Sequence, residues 1–277
     1  MFSKLALGTL LALASATAWA DPYPSRPITI VTPFPPGSTS DIIPRLLAPH
    51  VSKALGTTVV VENRAGANGS LGAAKVATSP ADGYTLLMAT TGVLAINPWV
   101  YSKLAYAPAK DFDPVINAAS TPNLLVAHPG IAASNLKELV ELARKRPGEL
   151  TFASAGNGST SHLCGESLKA ATGVDLVHVP YQGPAPAMQD VLSGRVGLMC
   201  DNLSNVLQYV KSGRLKAIAL TAKERSPQAP DIPTSAEAGY PDVQAGNWYS
   251  FVAPAGTPRP IVDRLNAERS EERRVGK

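Results

Sequence analysis

The stretch Ile28–Ile42, with the sequence ITIVTPFPPGSTSDI, carries the signal that decides the fold. Its first four residues are apolar and rich in β-branched side chains, which predicts a strand. From Ile42 onward, apolar side chains recur at helical spacing as far as Gly56, which predicts a helix. The segment between them, PFPPGSTSD, is therefore a strand-to-helix loop whose end carries three hydroxyls and a carboxylate.

The end of this loop has the properties of an anion site. A helix N-terminus presents unpaired backbone N–H groups and the positive end of the helix dipole, so it attracts an anion without lysine or arginine. The alternative is that Ser38, Thr39 or Ser40 only caps the helix, and the loop alone favours capping. However, Ser154–His162, SAGNGSTSH, repeats the same design. Two such loops favour an anion clamp, in which each helix N-terminus holds one carboxylate.

Both ends of the chain differ from the rest. Met1–Ala20 has a positive start at Lys4, an apolar run too short to span a bilayer and a small-x-small ending, which predicts a signal peptide cleaved after Ala20. The segment 269–277, RSEERRVGK, interrupts an amphipathic helix, and its back-translation resembles a sequencing-adapter oligonucleotide. We expect this tail to be non-native; a natural charged tail is the alternative.

The charge of the chain gives little indication of nucleic-acid binding. The formal net charge is +4, of which Lys4 contributes one and the tail two, so residues 21–268 carry +1. No basic stripe with interleaved aromatic residues is found in the sequence, so we expect no nucleic-acid partner.

Strand-like and helical patterns alternate along the chain, which predicts parallel sheets covered by helices on both faces. We expect an α/β fold with two doubly wound α/β domains around a cleft. The first domain would comprise residues 21–122 and 231–268, and the second residues 123–230, with a strand candidate at Leu124–His128. Ligands of such sheets bind outside the carboxyl ends of the strands. Within the first helix, Pro49 predicts a kink.

The two cysteines, Cys164 and Cys200, leave two alternatives open. An exported protein permits a disulfide between them, but the pair need not meet the required geometry. The sequence therefore favours two separate buried thiols.

The sequence gives weak support for catalysis. GNGS lacks the G-x-S-x-G pattern of a nucleophile elbow, and Ser161 and His162 are only sequence neighbours. The four histidines lack metal-ligand spacing, and Gly66, Gly69 and Gly72 do not form a dinucleotide motif. We therefore predict no enzyme activity, no metal and no cofactor.

Six segments occur in a specific order between about Tyr23 and Ala267. They read YPSRPITIVTPFPPGSTSD, VVVENRAGANGSLGAAKVA, PADGYTLLMAT, FASAGNGSTSHL, VPYQGPAPAMQDVLSGRVGLMCDN and IPTSAEAGYPDV. Together they resemble the Bug family of extracytoplasmic solute receptors, the substrate-binding proteins of tripartite tricarboxylate transporters. The chain departs from the family pattern at Gly37-Ser38, where two glycines are usual, at Pro44 and Pro49, and in lacking the family's further C-terminal helices.

The resemblance implies a type II periplasmic binding protein of the Venus-flytrap kind, located in the periplasm and monomeric. It implies a small organic anion as ligand and the membrane subunits of the transporter as partners. A dicarboxylate, a tricarboxylate such as citrate, an amino acid and an aromatic carboxylate all remain open as ligands. The ligand-binding residues that it implies are Phe34, Pro36, Gly37, Ser38, Thr39, Asp41, Thr90, Thr91, Ser154, Gly156, Asn157, Ser159, Thr160, His162, Tyr181, Gln182 and Asp201.

Among these residues, Asp41 has a second interpretation, because its carboxylate can brace the loop instead of touching ligand. Two alternative functions also remain: a receptor that signals to a sensor kinase, and an exported hydrolase that uses the same cleft.

Overall fold

The computed structural model describes the backbone of residues 23–275 and the side chains through residue 267. The predicted signal peptide and the side chains of the 269–277 tail lie outside the described residues. Within the described part of the chain, no helix has both the length and the apolar composition that crossing a membrane requires.

Nine strands occur in the described residues. They are β1 (Ile28–Thr32), β2 (Val59–Asn63), β3 (Thr85–Thr90), β4 (Phe112–Ala127), β5 (Thr151–Ser154), β6 (Val177–Pro180), β7 (Leu198–Asn202), β8 (Lys216–Leu220) and β9 (Gly246–Pro254).

The helices alternate with these strands along most of the chain. They are α1 (Thr39–Leu55), α2 (Ser70–Ala77), α3 (Asn97–Val100), α4 (Pro108–Asp111), α5 (Leu136–Lys145), α6 (Thr160–Thr172), α7 (Pro184–Leu192), α8 (Leu203–Lys211) and α9 (Arg259–Val275). A 3₁₀ turn at Ala67–Gly69 precedes α2, and a π-helical turn at Gly92–Ile96 precedes α3.

The strands form two sheets that share β4. In the first half of the molecule, β1 pairs in parallel with β2 and β3, and β9 pairs antiparallel with both β3 and the amino-terminal part of β4. In the second half, the carboxyl-terminal part of β4 pairs antiparallel with β7 and β8, while β5 lies parallel between β6 and β7. Each half buries an apolar cluster on both faces of its sheet, as expected for two doubly wound units.

β4 is longer than the sequence predicts. The predicted strand covers Leu124–His128, whereas β4 begins at Phe112. Its amino-terminal part contains Pro114 and Pro122, residues that cannot donate a ladder hydrogen bond. The pairing with β9 accommodates this part through register shifts between Pro114 and Ile116 and between Asn117 and Ala119. Because of these prolines and register shifts, the sequence pattern does not predict the amino-terminal part of β4.

The crossing between the halves is fixed by a small set of backbone hydrogen bonds. The Asn123 N–H donates to Ala245 O, the Ala245 N–H donates to Thr221 O, and the Thr221 N–H donates to Asn123 O, at 2.9–3.1 Å. Buried Val243 packs in a core cluster of the second half. We therefore propose that the chain returns to the first half at Ala245, later than the predicted return at residue 231.

α1 runs without interruption from Thr39 to Leu55 although it contains Pro44 and Pro49. Pro44 is the sixth residue of the helix, in its second turn, where it cannot donate the hydrogen bond that the Ser40 carbonyl would otherwise accept. Pro49, which predicts a kink, does not end the helix, which continues to Leu55. α1 is therefore one continuous helix that packs against the β-sheet of the first half.

The two cysteines are joined in a disulfide that links α6 to β7. Their Cα atoms are 6.2 Å apart, and both residues are buried in a core cluster of the second half. The preference for two separate thiols was therefore wrong. Sequence spacing did not reveal that α6 packs directly on β7, which is what brings the two side chains within bonding distance.

Reduction of this disulfide is expected to lower the free energy of unfolding by about 3–4 kcal/mol, the loop-closure value for a bridge of this span. The two cysteines are 36 residues apart. Urea unfolding with and without a thiol reductant measures the effect. A C164A/C200A double variant serves as the control because reductant has no bond to break in it. Equal unfolding midpoints for the wild-type protein under both conditions would contradict the prediction.

Candidate functional site

A cavity of about 50 Å³ lies between the two halves, at the carboxyl ends of β1, β3, β5 and β7. The amino-terminal end of antiparallel β9 reaches the same place. The residues that line it are Phe34, Ser38, Thr39, Ser40, Asn68, Thr90, Gly92, Ala155, Ser159, Thr160, Ser161, Pro184, Asp201, Asn202, Asn205, Asn247 and Tyr249. Most of them carry a hydroxyl or an amide. Such a lining binds a polar ligand through many neutral hydrogen bonds.

Two helices begin at this cavity, α1 at Thr39 and α6 at Thr160. Both N-cap residues, Ser38 and Ser159, have extended backbone angles. Within the described residues, the backbone N–H groups of Thr39, Ser40, Thr160 and Ser161 find no hydrogen-bond acceptor. All four residues line the cavity. The site therefore has free backbone donors at the positive ends of two helix dipoles.

The N-cap serines of α1 and α6 differ in whether the side chain caps the helix. Ser159 caps α6, since its hydroxyl accepts from the His162 N–H at 3.2 Å. Ser38 makes no side-chain cap to α1, and its hydroxyl instead contacts the Ser40 hydroxyl at 3.1 Å. Capping thus explains the serine of the second loop but not that of the first.

A relay of hydrogen bonds connects the two helix ends. The Asn202 amide donates to the Thr39 hydroxyl at 3.2 Å. The Asn247 amide donates both to Asn202 Oδ1 at 2.8 Å and to the Thr160 hydroxyl at 2.7 Å. Because Thr39 belongs to the first half and Asn202 to the second, the relay also holds the halves together.

Asp201 is the carboxylate of the cavity. It is 5% exposed, and its Oδ2 accepts from the Asn205 amide at 3.1 Å. The Thr39 hydroxyl donates to Asn205 Oδ1 at 3.0 Å, so Asn205 bridges Asp201 to the first half. Burial raises the pKa of the Asp201 carboxyl to about 6. Burial, reinforced by Asp201, also raises the pKa of the Tyr249 hydroxyl.

Asp41 braces the first loop. Its carboxylate accepts from the Gly37 N–H at 2.9 Å, from Arg45 at 2.9 Å and from Asn63 at 2.8 Å. Burial alone would raise the pKa of the Asp41 carboxyl, but these hydrogen bonds together hold it below its ordinary value. Asp41 does not line the cavity, so its geometry agrees with the bracing interpretation.

The second loop rests on a pair of histidines. His162 on α6 and His178 on β6 stack with ring centroids 4.1 Å apart, and His178 Nε2 contacts the Ser154 hydroxyl at 2.6 Å. Burial, reinforced by His162, lowers the pKa of the His178 imidazole to about 4. Burial likewise lowers the pKa of His162. Ser154 is fully buried and accepts from the Gly156 N–H at 3.1 Å, which makes it a support of the loop.

The predicted ligand-binding residues fall into three groups. Phe34, Ser38, Thr39, Thr90, Ser159, Thr160 and Asp201 line the central cavity. Pro36, Gly37, Gly156, Asn157, Tyr181 and Gln182 line two spaces that adjoin it. Asp41, Thr91, Ser154 and His162 lie behind the loops, where Thr91 accepts from the Trp248 N–H and His162 accepts from the Gly158 N–H. The structure brings the first group together; ligand contact by these residues stays a prediction.

Sequence analysis missed several residues of the lining. Asn247 and Tyr249 stand on β9, whose antiparallel direction brings its start, and not its end, to the cleft. Asn205 lies in the first turn of α8, and Asn68 lies in a tight turn with φ of 48°. The signal for Asn68 was its position next to glycine, since asparagine tolerates this backbone region.

The described lining of the cavity has no cationic side chain. Lysine, arginine and histidine are absent from its described lining residues. In addition, the described residues contain no cluster of three or more histidine, cysteine, aspartate or glutamate side chains placed to hold a metal ion. An anion in this cavity would therefore be held by neutral donors and helix dipoles.

Comparison with known proteins gives consistent results. The family model "Tripartite tricarboxylate transporter family receptor" matches residues 43–274. Protein BugT of Bordetella pertussis is 38% identical over 268 residues, which is 96% of this chain and 82% of BugT. A structure of an R. palustris protein with adipate is 41% identical with a TM-score of 0.86, covering 89% of this chain and 82% of that protein. MatC from Rhodopseudomonas palustris with bound malate is 38% identical with a TM-score of 0.85, covering 90% and 85%. These findings confirm the predicted fold class and the Bug resemblance.

The histidine pair is expected to make stability depend on pH. The folded-state pKa of His178, about 4, lies below its unfolded value of about 6.5, so its contribution is present above pH 6.5 and is lost as the pH falls toward 4. An H178Q variant cannot titrate there, so its free energy of unfolding should fall less steeply between pH 7 and 4.5. Urea unfolding across this range checks the prediction, with H50Q on α1 as control. Parallel profiles for wild type and H178Q would contradict it.

Proposed function

The chain belongs to the family of tripartite tricarboxylate transporter receptors, and on that premise we propose that it is a periplasmic receptor that captures a small organic dicarboxylate. The observation that carries the proposal is the set of four free backbone N–H groups at the starts of α1 and α6, which open into one cavity. One carboxylate binds at each helix start, as in the anion clamp expected from the sequence.

Two similar proteins support the choice of ligand class. The R. palustris relative was determined with adipate, and MatC was determined with malate. Both ligands carry a carboxylate at each end, which matches a cavity with donors at two ends. The absence of lysine, arginine and histidine from the described lining supports recognition through hydrogen bonds instead of ion pairs. Chain length of the dicarboxylate is then selected by how far apart the closed halves hold the two helix starts.

Capture proceeds by closure of the halves over the ligand. Contacts between the two halves support this step: Thr39 bonds to Asn205 and Asn202, and the Tyr101 hydroxyl donates to Asn157 O at 3.0 Å. The ligand adds its own bonds to both helix starts only when the halves are closed. It therefore shifts the population toward the closed form by its tighter binding to that form, and the membrane subunits of the transporter recognise the result.

No covalent step is part of this proposal. The contact between Ser154 and His178 has the residue types of a nucleophile and base, but the Ser154 hydroxyl is fully buried and supports the loop backbone. A nucleophile must reach its substrate, so this pair does not support the hydrolase alternative.

Proline substitution at the start of α1 tests the role of the backbone donors. Thr39 is the first residue of the helix, where proline is well tolerated, and the extended backbone of Ser38 suits the position before proline. T39P removes the N–H and the hydroxyl, whereas the matched T39V removes the hydroxyl alone. A hydrogen bond to a carboxylate contributes about 1.5–3 kcal/mol, so T39P should bind malate or adipate at least roughly 10-fold more weakly than T39V. Calorimetric titration measures both.

The same pair of substitutions at Thr160, the first residue of α6, repeats the test at the second helix start. An S193A variant, which removes an exposed hydroxyl at the end of α7, should bind like the wild type. Equal affinities of T39P and T39V, and of T160P and T160V, would show that the backbone N–H groups do not hold the ligand.

A thermal-shift screen of mono-, di- and tricarboxylates identifies the ligand itself. A ligand at 100 times its Kd adds about 2.7 kcal/mol to the free energy of unfolding, which raises the Tm of a chain of this size by roughly 5–10 °C. We expect the shift with a dicarboxylate. A shift with monocarboxylates alone, or with no acid at all, would contradict the proposed ligand class.

A further inference from the structure

Asp201 conflicts with the ligand that the cleft is proposed to bind. It is the carboxylate of the central cavity, and it also lines a second space of about 330 Å³ on the α7 side. Within the described residues, neither lining includes a lysine, an arginine or a histidine. A dicarboxylate in this cleft therefore lies beside a buried carboxylate that has no cation to balance it.

The elements packed around Asp201 do not supply a cation either. β4 places Leu124 opposite it, and its hydrogen bonds come from neutral groups, the Asn205 side-chain amide and the Asn202 backbone. The ionisable groups on the surrounding elements are Asp113 on β4, Tyr249 on β9, Tyr209 and Lys211 on α8, Asp190 on α7, His162, Glu166 and Lys169 on α6, and Asp41, Arg45, His50 and Lys53 on α1. The charged side chains nearest the helix starts are paired among themselves, Asp41 with Arg45 and Glu166 with Lys169.

Elementary electrostatics limits how this conflict is resolved. Two carboxylates that share a low-dielectric site cannot both remain ionised, because repulsion and lost hydration disfavour the second charge. The pair then holds one proton, as in other carboxylate pairs. The free N–H groups of the two helix starts hold the ligand carboxylates as anions, so the proton belongs on the carboxyl group whose burial outweighs its own hydrogen bonds, which come from the Asn205 amide and the Asn202 backbone. That group is Asp201.

We propose, on the basis of the proposed function, that Asp201 takes up one proton from solvent when a dicarboxylate enters the cleft, and that the neutral carboxyl group then donates a hydrogen bond to the ligand. Asp201 is thus a specificity residue for anions without an ammonium group. An amino acid, by contrast, would place its ammonium group beside an ionised Asp201, so its binding would take up no proton.

The state of the free protein is consistent with this role. Burial raises the pKa of the Asp201 carboxyl to about 6, so near neutral pH the group is mostly ionised yet close to protonation. A second negative charge beside it raises this pKa further. Binding then consumes a proton wherever the pH lies between the pKa values of the free and the bound protein.

Calorimetric titration of the wild-type protein with malate, and separately with adipate, measures this proton directly. At pH 7.5 in phosphate, HEPES and Tris, the observed enthalpy should vary linearly with the ionisation enthalpy of the buffer, with a slope that approaches one proton taken up. Over the same range the Kd should rise by about 10-fold from pH 7 to pH 8, because one proton binds with each ligand.

Variants separate the role of the charge from that of the shape. D201N carries a neutral side chain of similar size, so it should show no proton uptake and a Kd that is constant between pH 7 and 8. D231N, which removes an exposed carboxylate away from the cleft, should keep the wild-type proton uptake. The wild-type measurements stand by themselves if D201N does not fold.

The outcomes distinguish this inference from the proposed function. Dicarboxylate binding with no proton uptake and a constant Kd in the wild type would overturn the role of Asp201 and leave the receptor intact. Binding restricted to ligands with an ammonium group, with a large loss in D201N, would overturn it as well, because Asp201 would then act as an anion. Absence of binding by any carboxylate in both proteins would overturn the receptor function itself.

Discussion

The pairing of β4 with β9 is the constraint on which the rest of the structure depends. β4 passes through both sheets, and β9 pairs with it up to the crossing at Asn123 and Ala245. These strands fix the direction of every parallel strand in each half, so the carboxyl ends of β1, β3, β5 and β7 converge on one cleft. The loops at those ends carry the hydroxyls, amides and free N–H groups. The strand order and directions thus fix where the cleft lies, and the loop residues fix which polar groups line it.

The described lining of the cleft supplies hydrogen-bond donors without cationic side chains. Helix starts supply donors whose partial charges are fixed by the backbone, so no long cationic side chain has to be ordered on binding. The braces of the loops lie behind them: Asp41 under the first, and the histidine pair under the second. Asp201 is the one carboxylate among the described residues of the cavity lining, and in its proposed role it makes binding depend on the charge of the ligand.

Local patterns predicted much of the fold. β1 and the end of α1 lie where the periodicity of residues 28–55 placed them, because an apolar run and a 3.6-residue repeat report burial directly. The amino-terminal part of β4 escaped prediction because Pro114 and Pro122 disrupt its pattern. Motif resemblance predicted many lining residues but not Asn247 or Tyr249, since the direction of β9 is a tertiary property. The disulfide, likewise, depends on the packing of α6 on β7.

That disulfide has a mechanical consequence for the receptor. It ties the helix that starts at Thr160 to the strand whose end carries Asp201, since Cys164 lies one turn into α6 and Cys200 directly precedes Asp201. The start of α6 and the end of β7, which both line the cavity, are therefore covalently tied together within the second half. In the proposed closure of the halves, Thr160 and Asp201 would move together as one unit, and Thr39 would move relative to both. Under that proposal, the second half provides a fixed spacing, and the position of the first half relative to it sets the length of ligand that fits.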